Sequence, residues 1–142
     1  MAEINPYLNF PGNTEEAFNF YKSVFGGEFL TFQRMKDTPD GDKLPPEVQE
    51  KVMHVAFPIG HIVLMATDAV EGMGHAIRAG NNFTLSISPG SEEEMHQLFN
   101  GLAEGGKVGA PIAKMFWGAY WGMLTDKFGL QWMINFDPNQ AG

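Results

Sequence analysis

The side chains able to do acid–base or metal chemistry are few and scattered. Histidine stands at 54, 61, 75 and 96 and cysteine is absent, so disulfides, thiolate nucleophiles and thiolate zinc sites are excluded. His96 shares a helical pattern with Glu92 and Glu93 and is expected to face water, as is His61 beside a turn. His75 falls in a glycine-rich connector at the reach of a pocket mouth. His54 opens a strand that is otherwise apolar on both faces, and is the imidazole expected in a cavity, where it can donate, accept or shuttle a proton. No Ser-His-Asp order, paired carboxylates or phosphate loop can be placed; Gly41 and the Gly-x-Gly at 72–74 lack a strand-to-helix setting.

Amides and aromatics offer more. All three tryptophans fall within residues 114–136, whose second half reads as a hairpin: Tyr120–Thr125, the turn Asp126-Lys127-Phe128-Gly129, then Leu130–Phe136. Alternation places Gln131, Met133 and Asn135 on one face and Leu130, Trp132, Ile134 and Phe136 on the other. The second face suits a core; the first suits the wall of a cavity or a solvated surface. Asn9 interrupts an apolar strand and needs either a backbone partner or a ligand. Trp117 and Tyr120 either stack on a planar ligand or pack beneath a loop.

The elements that must position these groups repeat. Ile4–Phe10 reads as a strand; Asn13 and Glu16 form a capping-box pattern; Ala17, Phe18, Tyr21, Val24 and Phe25 give one apolar helix face; Gly26-Gly27 ends the helix. Glu28–Met35 is the next strand, Lys36–Lys51 a charged, proline-containing loop expected to be mobile, and Met53–Ile59 with His61–Thr67 a hairpin about Gly60. After the connector Asp68–Asn82 the opening pattern returns at an offset of 78: Phe83–Ser88 as strand, Pro89-Gly90-Ser91-Glu92-Glu93-Glu94 against Pro11-Gly12-Asn13-Thr14-Glu15-Glu16, and Gly105-Gly106 against Gly26-Gly27. Met95, Leu98, Phe99 and Leu102 form the second helix face, and a short strand near Lys107–Val108 leads into the hairpin. An internal duplication of strand–helix–strand–hairpin follows, module one about 4–67 and module two about 82–136. Each small sheet needs its helix on one face, and two such sheets side by side leave a concave inner surface suited to a ligand.

A length of 142 residues fits one domain spanning 1–142, and 44% hydrophobic content is enough for a core. The net charge of −8, with no basic cluster, makes nucleic acid and anionic membrane poor partners. No signal-like or membrane-spanning stretch is present, so a cytoplasmic location is the default expectation.

Pro6-Tyr7-Leu8-Asn9-Phe10, the Glu-Glu-Ala-Phe-x-Phe-Tyr helix ending Phe25-Gly26-Gly27, and the run from Thr125 to Asn135 resemble the PhnB-like branch of the glyoxalase/bleomycin-resistance/dioxygenase (vicinal oxygen chelate) superfamily. The resemblance spans about Pro6 to Phe136. It implies an α+β fold of two βαβββ modules, a concave mixed sheet with helices outside, and a homodimer. Some members of the branch carry a demethylubiquinone methyltransferase-like label, for which this chain shows no methyl-donor motif. Enzymes of the superfamily hold a divalent metal through His, Glu or Gln on the first and last strands of each module, and the metal polarises substrate oxygens. Carried onto this chain, those strands offer Asn5, Asn9, His61, Thr84, Ser86, Gln131 and Asn135, and no carboxylate. Amides and hydroxyls hold such metals feebly.

The expectation is therefore a small-molecule-binding protein with no cofactor and no metal site, its ligand met by Asn9, His54, Thr84, Trp117, Tyr120, Gln131 and Asn135. Two alternatives stand beside it. One is a metal-dependent lyase, isomerase or dioxygenase using His54 or His61 with Gln131; the other is a drug-sequestering resistance protein.

Overall fold

The computed structural model describes residues 1–70 and 77–139; His75 and the Gly-x-Gly at 72–74 lie outside the described residues. The chain divides into two compact units, Met1–Arg78 and Ala79–Gly142. The first runs β1 (Tyr7–Phe10), α1 (Thr14–Phe25), β2 (Thr31–Arg34), α2 (Pro46–Gln49), β3 (Val52–Ile59) and β4 (Ile62–Asp68). The second runs β5 (Leu85–Ile87), α3 (Glu92–Ala103), β6 (Lys107–Lys114), β7 (Tyr120–Thr125) and β8 (Gln131–Phe136).

Each unit holds one four-stranded sheet, ordered β1-β4-β3-β2 in the first and β5-β8-β7-β6 in the second. In both, the opening strand lies parallel to the last (β1 on β4, β5 on β8) and the remaining pairs are antiparallel. Both long helices have twelve residues and begin 78 apart, at Thr14 and Glu92. The α+β architecture and its βαβββ repeat are therefore as the sequence implies.

Binary alternation explains which face each helix covers. In unit one, Leu8, Phe10, Val55, Phe57, Leu64 and Ala66 are buried, and so are Ala17, Phe18 and Tyr21 of α1. Phe18 meets Phe10 and Tyr21 edge-on at centroid distances of 6.2 and 5.6 Å. In unit two, Met95, Leu98, Phe99 and Leu102 of α3 are buried, as are Leu124, Trp132, Ile134 and Phe136. Burying each large side chain of this kind is worth roughly 1.5–3 kcal/mol, so the helix–sheet interfaces stabilise both units.

The two helices satisfy their N-termini differently. In α3 the Ser91 hydroxyl accepts the Glu94 N–H at 3.1 Å, as the capping pattern predicts, while the Glu94 carboxylate accepts the N–H of Gly90 rather than that of Ser91. Asn13 makes no side-chain cap at α1. The buried Asp68, at the end of β4, takes that place: one oxygen accepts the Thr14 N–H at 2.9 Å and the other the Val52 N–H at 2.8 Å. A carboxylate at a helix N-terminus also complements the helix dipole.

Residues 36–51 form built structure instead of an open loop. Single 3-10 turns at Met35–Asp37 and Gly41–Lys43 precede α2, whose Val48 is buried. The Gln49 amide donates to the carbonyls of Asp42 and Leu44, at 3.3 and 2.8 Å. Gly41 packs so closely that a Cβ there would stand 2.5 Å from the Lys36 carbonyl oxygen. Arg34 anchors the segment. Its guanidinium donates to both oxygens of Glu15 on α1 (3.0 and 2.7 Å) and to the Glu50 carbonyl (2.8 Å).

Strand β6 is eight residues long where the sequence reading expects two. Gly109, Pro111 and Ala113 hide it, being weak strand formers. The register slips between Val108 and Ala110 and again between Ala110 and Ala113, so the proline falls at an irregularity on an edge strand, where its missing N–H costs least.

Candidate functional site

One face of each sheet is covered by its helix, which leaves the opposite face to carry chemistry.

In unit one the helix-distal face carries Tyr7 and Asn9 from β1, Val63, Met65 and Thr67 from β4, His54 from β3 and Gln33 from β2. Asn9 pairs with Thr67 and Gln33 with His54 in register; because Val55 pairs with Ala66, His54 is the next rung beside Thr67. A polar row Asn9–Thr67–His54–Gln33 thus crosses all four strands. A bulge against Arg34 puts an extra residue into β3 at Met53, which lets Val52 and Val55 both stay on the buried side while His54 faces away. The His54 ring stacks on Tyr7, centroids 5.8 Å apart and planes inclined by 24°. His54 is half-buried and Tyr7 is 48% exposed. The pair sets an imidazole beside a phenol at a partly desolvated surface.

In unit two the hairpin register is Tyr120↔Phe136, Trp121↔Asn135, Gly122↔Ile134, Met123↔Met133, Leu124↔Trp132 and Thr125↔Gln131. The helix-distal rungs are therefore Trp121–Asn135, Met123–Met133 and Thr125–Gln131. Thr84 precedes β5 and is half-buried; Ser86 pairs with Met133 on the same face. The Gln131 amide donates to the Phe83 carbonyl at 2.7 Å, which orients its oxygen and ties the entry of β5 to β8.

The residues expected to meet a ligand thus divide. Asn9 and His54 lie on the helix-distal face of unit one, and Gln131 and Asn135 on that of unit two, with Thr84 at its margin. Tyr120 lies on the opposite side, stacked at 6.3 Å and 22° on the buried Phe136. Trp117 is in the turn joining β6 and β7, 57% exposed and edge-on to Phe116 at 4.7 Å. The aromatic that accompanies Asn135 is Trp121, which the sequence reading passes over. Counting rungs back from the turn Asp126–Gly129 finds it, since the register that opposes Tyr120 to Phe136 opposes Trp121 to Asn135.

A divalent metal needs several convergent imidazole or carboxylate donors. On the first and last strands the helix-distal side chains are Tyr7, Asn9, Val63, Met65, Thr67, Ser86, Gln131, Met133 and Asn135. None is a carboxylate or an imidazole. Asn5 already accepts the Val63 N–H at 2.8 Å. His61 is exposed at the β3–β4 turn, and His96 is exposed 3.9 Å from Glu92 on α3. Among the described residues no three His, Cys, Asp or Glu side chains come together to hold an ion. On these first and last strands the donors present do not fit the divalent metal that the resemblance implies.

Ionic interactions that shift protonation lie elsewhere. The Arg34 hydrogen bonds hold the Glu15 carboxyl below its ordinary range, against a smaller opposing effect of burial, and raise Arg34 in turn.

A family model described as 3-demethylubiquinone-9 3-methyltransferase matches residues 2–135. Protein YjdN of Escherichia coli K12 is 32% identical over 148 residues, covering 96% of this chain and 97% of that protein. Protein PA1353 from Pseudomonas aeruginosa has a crystal structure that superimposes with a TM-score of 0.84 at 36% identity, over 96% of this chain and 98% of its own. A putative 3-demethylubiquinone-9 3-methyltransferase, PhnB protein, from Bacillus cereus follows at 0.76 and 26%, over 95% and 99%. The fold extends to a glyoxalase/bleomycin resistance protein/dioxygenase family enzyme from Burkholderia phytofirmans PsJN, with a TM-score of 0.57 at 17% identity over 92% and 95%.

Proposed function

Since the chain belongs to the family described as 3-demethylubiquinone-9 3-methyltransferase and is similar to a PhnB protein, we propose that it binds a small organic molecule on the helix-distal faces of its sheets without a divalent metal. The observation that carries this reading is the Tyr7–His54 stack, set in the polar row Asn9–Thr67–His54–Gln33. A ring pair beside several hydrogen-bonding side chains offers an apolar surface with a few placed polar groups, the usual make-up of a small-molecule site. The metal-dependent alternative asks for donors that the first and last strands do not supply. Methyl transfer asks for a bound methyl donor, and the chain has no motif for one.

Calorimetric titration against aromatic and amphipathic metabolites tests the reading. Saturable binding that weakens on His54→Ala and Tyr7→Ala supports it; silence across a broad set overturns it. Tight binding of a drug without turnover would mark the protein as a sequestering one. We further propose a homodimer acting in the cytoplasm. Light scattering on the purified protein tests the first, and fractionation of cells the second. No helix among the described residues is long and apolar enough to cross a membrane.

A further inference from the structure

The helix-distal face of unit two differs in kind from that of unit one, and the difference points to a ligand class. Its three hairpin rungs are Trp121–Asn135, Met123–Met133 and Thr125–Gln131. None of these six side chains ionises near neutral pH, whereas unit one presents the imidazole of His54. The lysines in register stand on edge strand β6 at the two ends of the ladder, Lys107 opposite Thr125 and Lys114 opposite Tyr120.

The geometry points to this face as the seat of an uncharged planar ring that carries a polar edge, an inference that rests on the small-molecule reading above. Trp121 is half-buried and supplies an indole face for stacking. Successive helix-distal rungs are about 7 Å apart, because a strand rises ~3.3 Å per residue and alternate residues share a face. A fused ring pair therefore reaches from Trp121 across the Met123–Met133 rung. Two thioethers there form a soft, polarisable floor that favours aromatic contact. Asn135 and Gln131 close the two ends with carboxamides, each of which can donate and accept, so a neutral hydroxyl or carbonyl is satisfied. A carboxylate would give up its hydration with no countercharge among the six side chains, which is costly.

The test is calorimetry on the full chain with 1-naphthol and 1-naphthoate, rings of one shape and different charge. Wild type is expected to bind the naphthol and to prefer it over the naphthoate. Trp121→Ala should weaken it by about tenfold or more, the scale of a lost aromatic contact with its buried area. Trp121→Phe should keep most of the affinity, which guards against misfolding of the alanine variant. Equal or tighter binding of naphthoate, or a Trp121→Ala variant that folds and binds like wild type, overturns the inference. If neither ring binds while another metabolite binds in a His54-dependent way, this inference falls and the broader reading stands. If no compound binds, both fall.

Discussion

The indole Nε1 of Trp132 donates to the carboxylate of Asp126, 2.8 Å away and six residues earlier, across the turn of the β7–β8 hairpin. The second oxygen of Asp126 accepts the N–H groups of Phe128 and Leu130, at 2.8 and 3.1 Å. One buried carboxylate thus fixes the turn and anchors the largest core side chain of unit two. Asp126→Ala should cost about 3 kcal/mol, because buried donors lose a charged acceptor. Trp132→Phe, which removes one of these bonds and some packing, should cost less, about 1–2 kcal/mol. Asp126→Asn should not rescue, since one of its two acceptor positions becomes a donor. Urea denaturation ranks the three.

Asp68 plays the corresponding part in unit one, but at the helix. It joins the start of α1 to the start of β3 through Thr14 and Val52. Asp68→Ala is expected to destabilise by about 2–4 kcal/mol, a charged acceptor lost to two backbone donors. Ser91→Ala at α3 should cost only about 1 kcal/mol, an ordinary cap. Equal denaturant midpoints for the two variants would contradict this division.

The Glu15–Arg34 pair sets a pH dependence whose sign is fixed. The folded-state pKa of Glu15 lies below the ordinary value of 4.5, so the unfolded chain takes up the proton first. The stabilisation is fully present above 4.5 and is lost as pH falls through the folded value. The side chains are 25% exposed for Arg34 and 47% for Glu15, so solvent screening keeps the contribution below about 1 kcal/mol. Glu15→Gln should lower the melting temperature slightly at pH 7 and converge with wild type at acid pH. A constant difference down to low pH would show that the ion pair is not its source.

Metal addition makes a separate prediction. Protein purified without chelator should contain substoichiometric iron, zinc, nickel and manganese by elemental analysis, and added divalent ions should leave its melting temperature unchanged. A ligand binding only the folded state would raise the melting point by mass action, so a clear shift with one ion would reveal a donor set beyond the strand positions considered above.

How much was legible in the sequence follows the range of the interactions concerned. Short-range chemistry was readable. The apolar faces of α1 and α3, the glycines that end them, the Ser91 cap and the Asp126–Gly129 turn all depend on residues within a few positions of one another. Their repetition at an offset of 78 carried the architecture. Resemblance then supplied the branch and the pairing of modules.

What only tertiary structure decided depends on partners distant in sequence. Asp68 caps a helix that starts 54 residues earlier, so nothing near Asn13 announces that Asn13 is not the cap. Strand β6 is made by its pairing with β7, against the weak propensity of its own Gly, Pro and Ala. Residues 36–51 read as mobile from their charge, yet Arg34 binds that segment through Glu50 to Glu15 on α1. Tyr120 and Trp121 are adjacent and both aromatic, so composition cannot choose between them. The hairpin register turns Tyr120 onto Phe136 in the core and leaves Trp121 beside Asn135, because neighbouring strand residues must point to opposite faces.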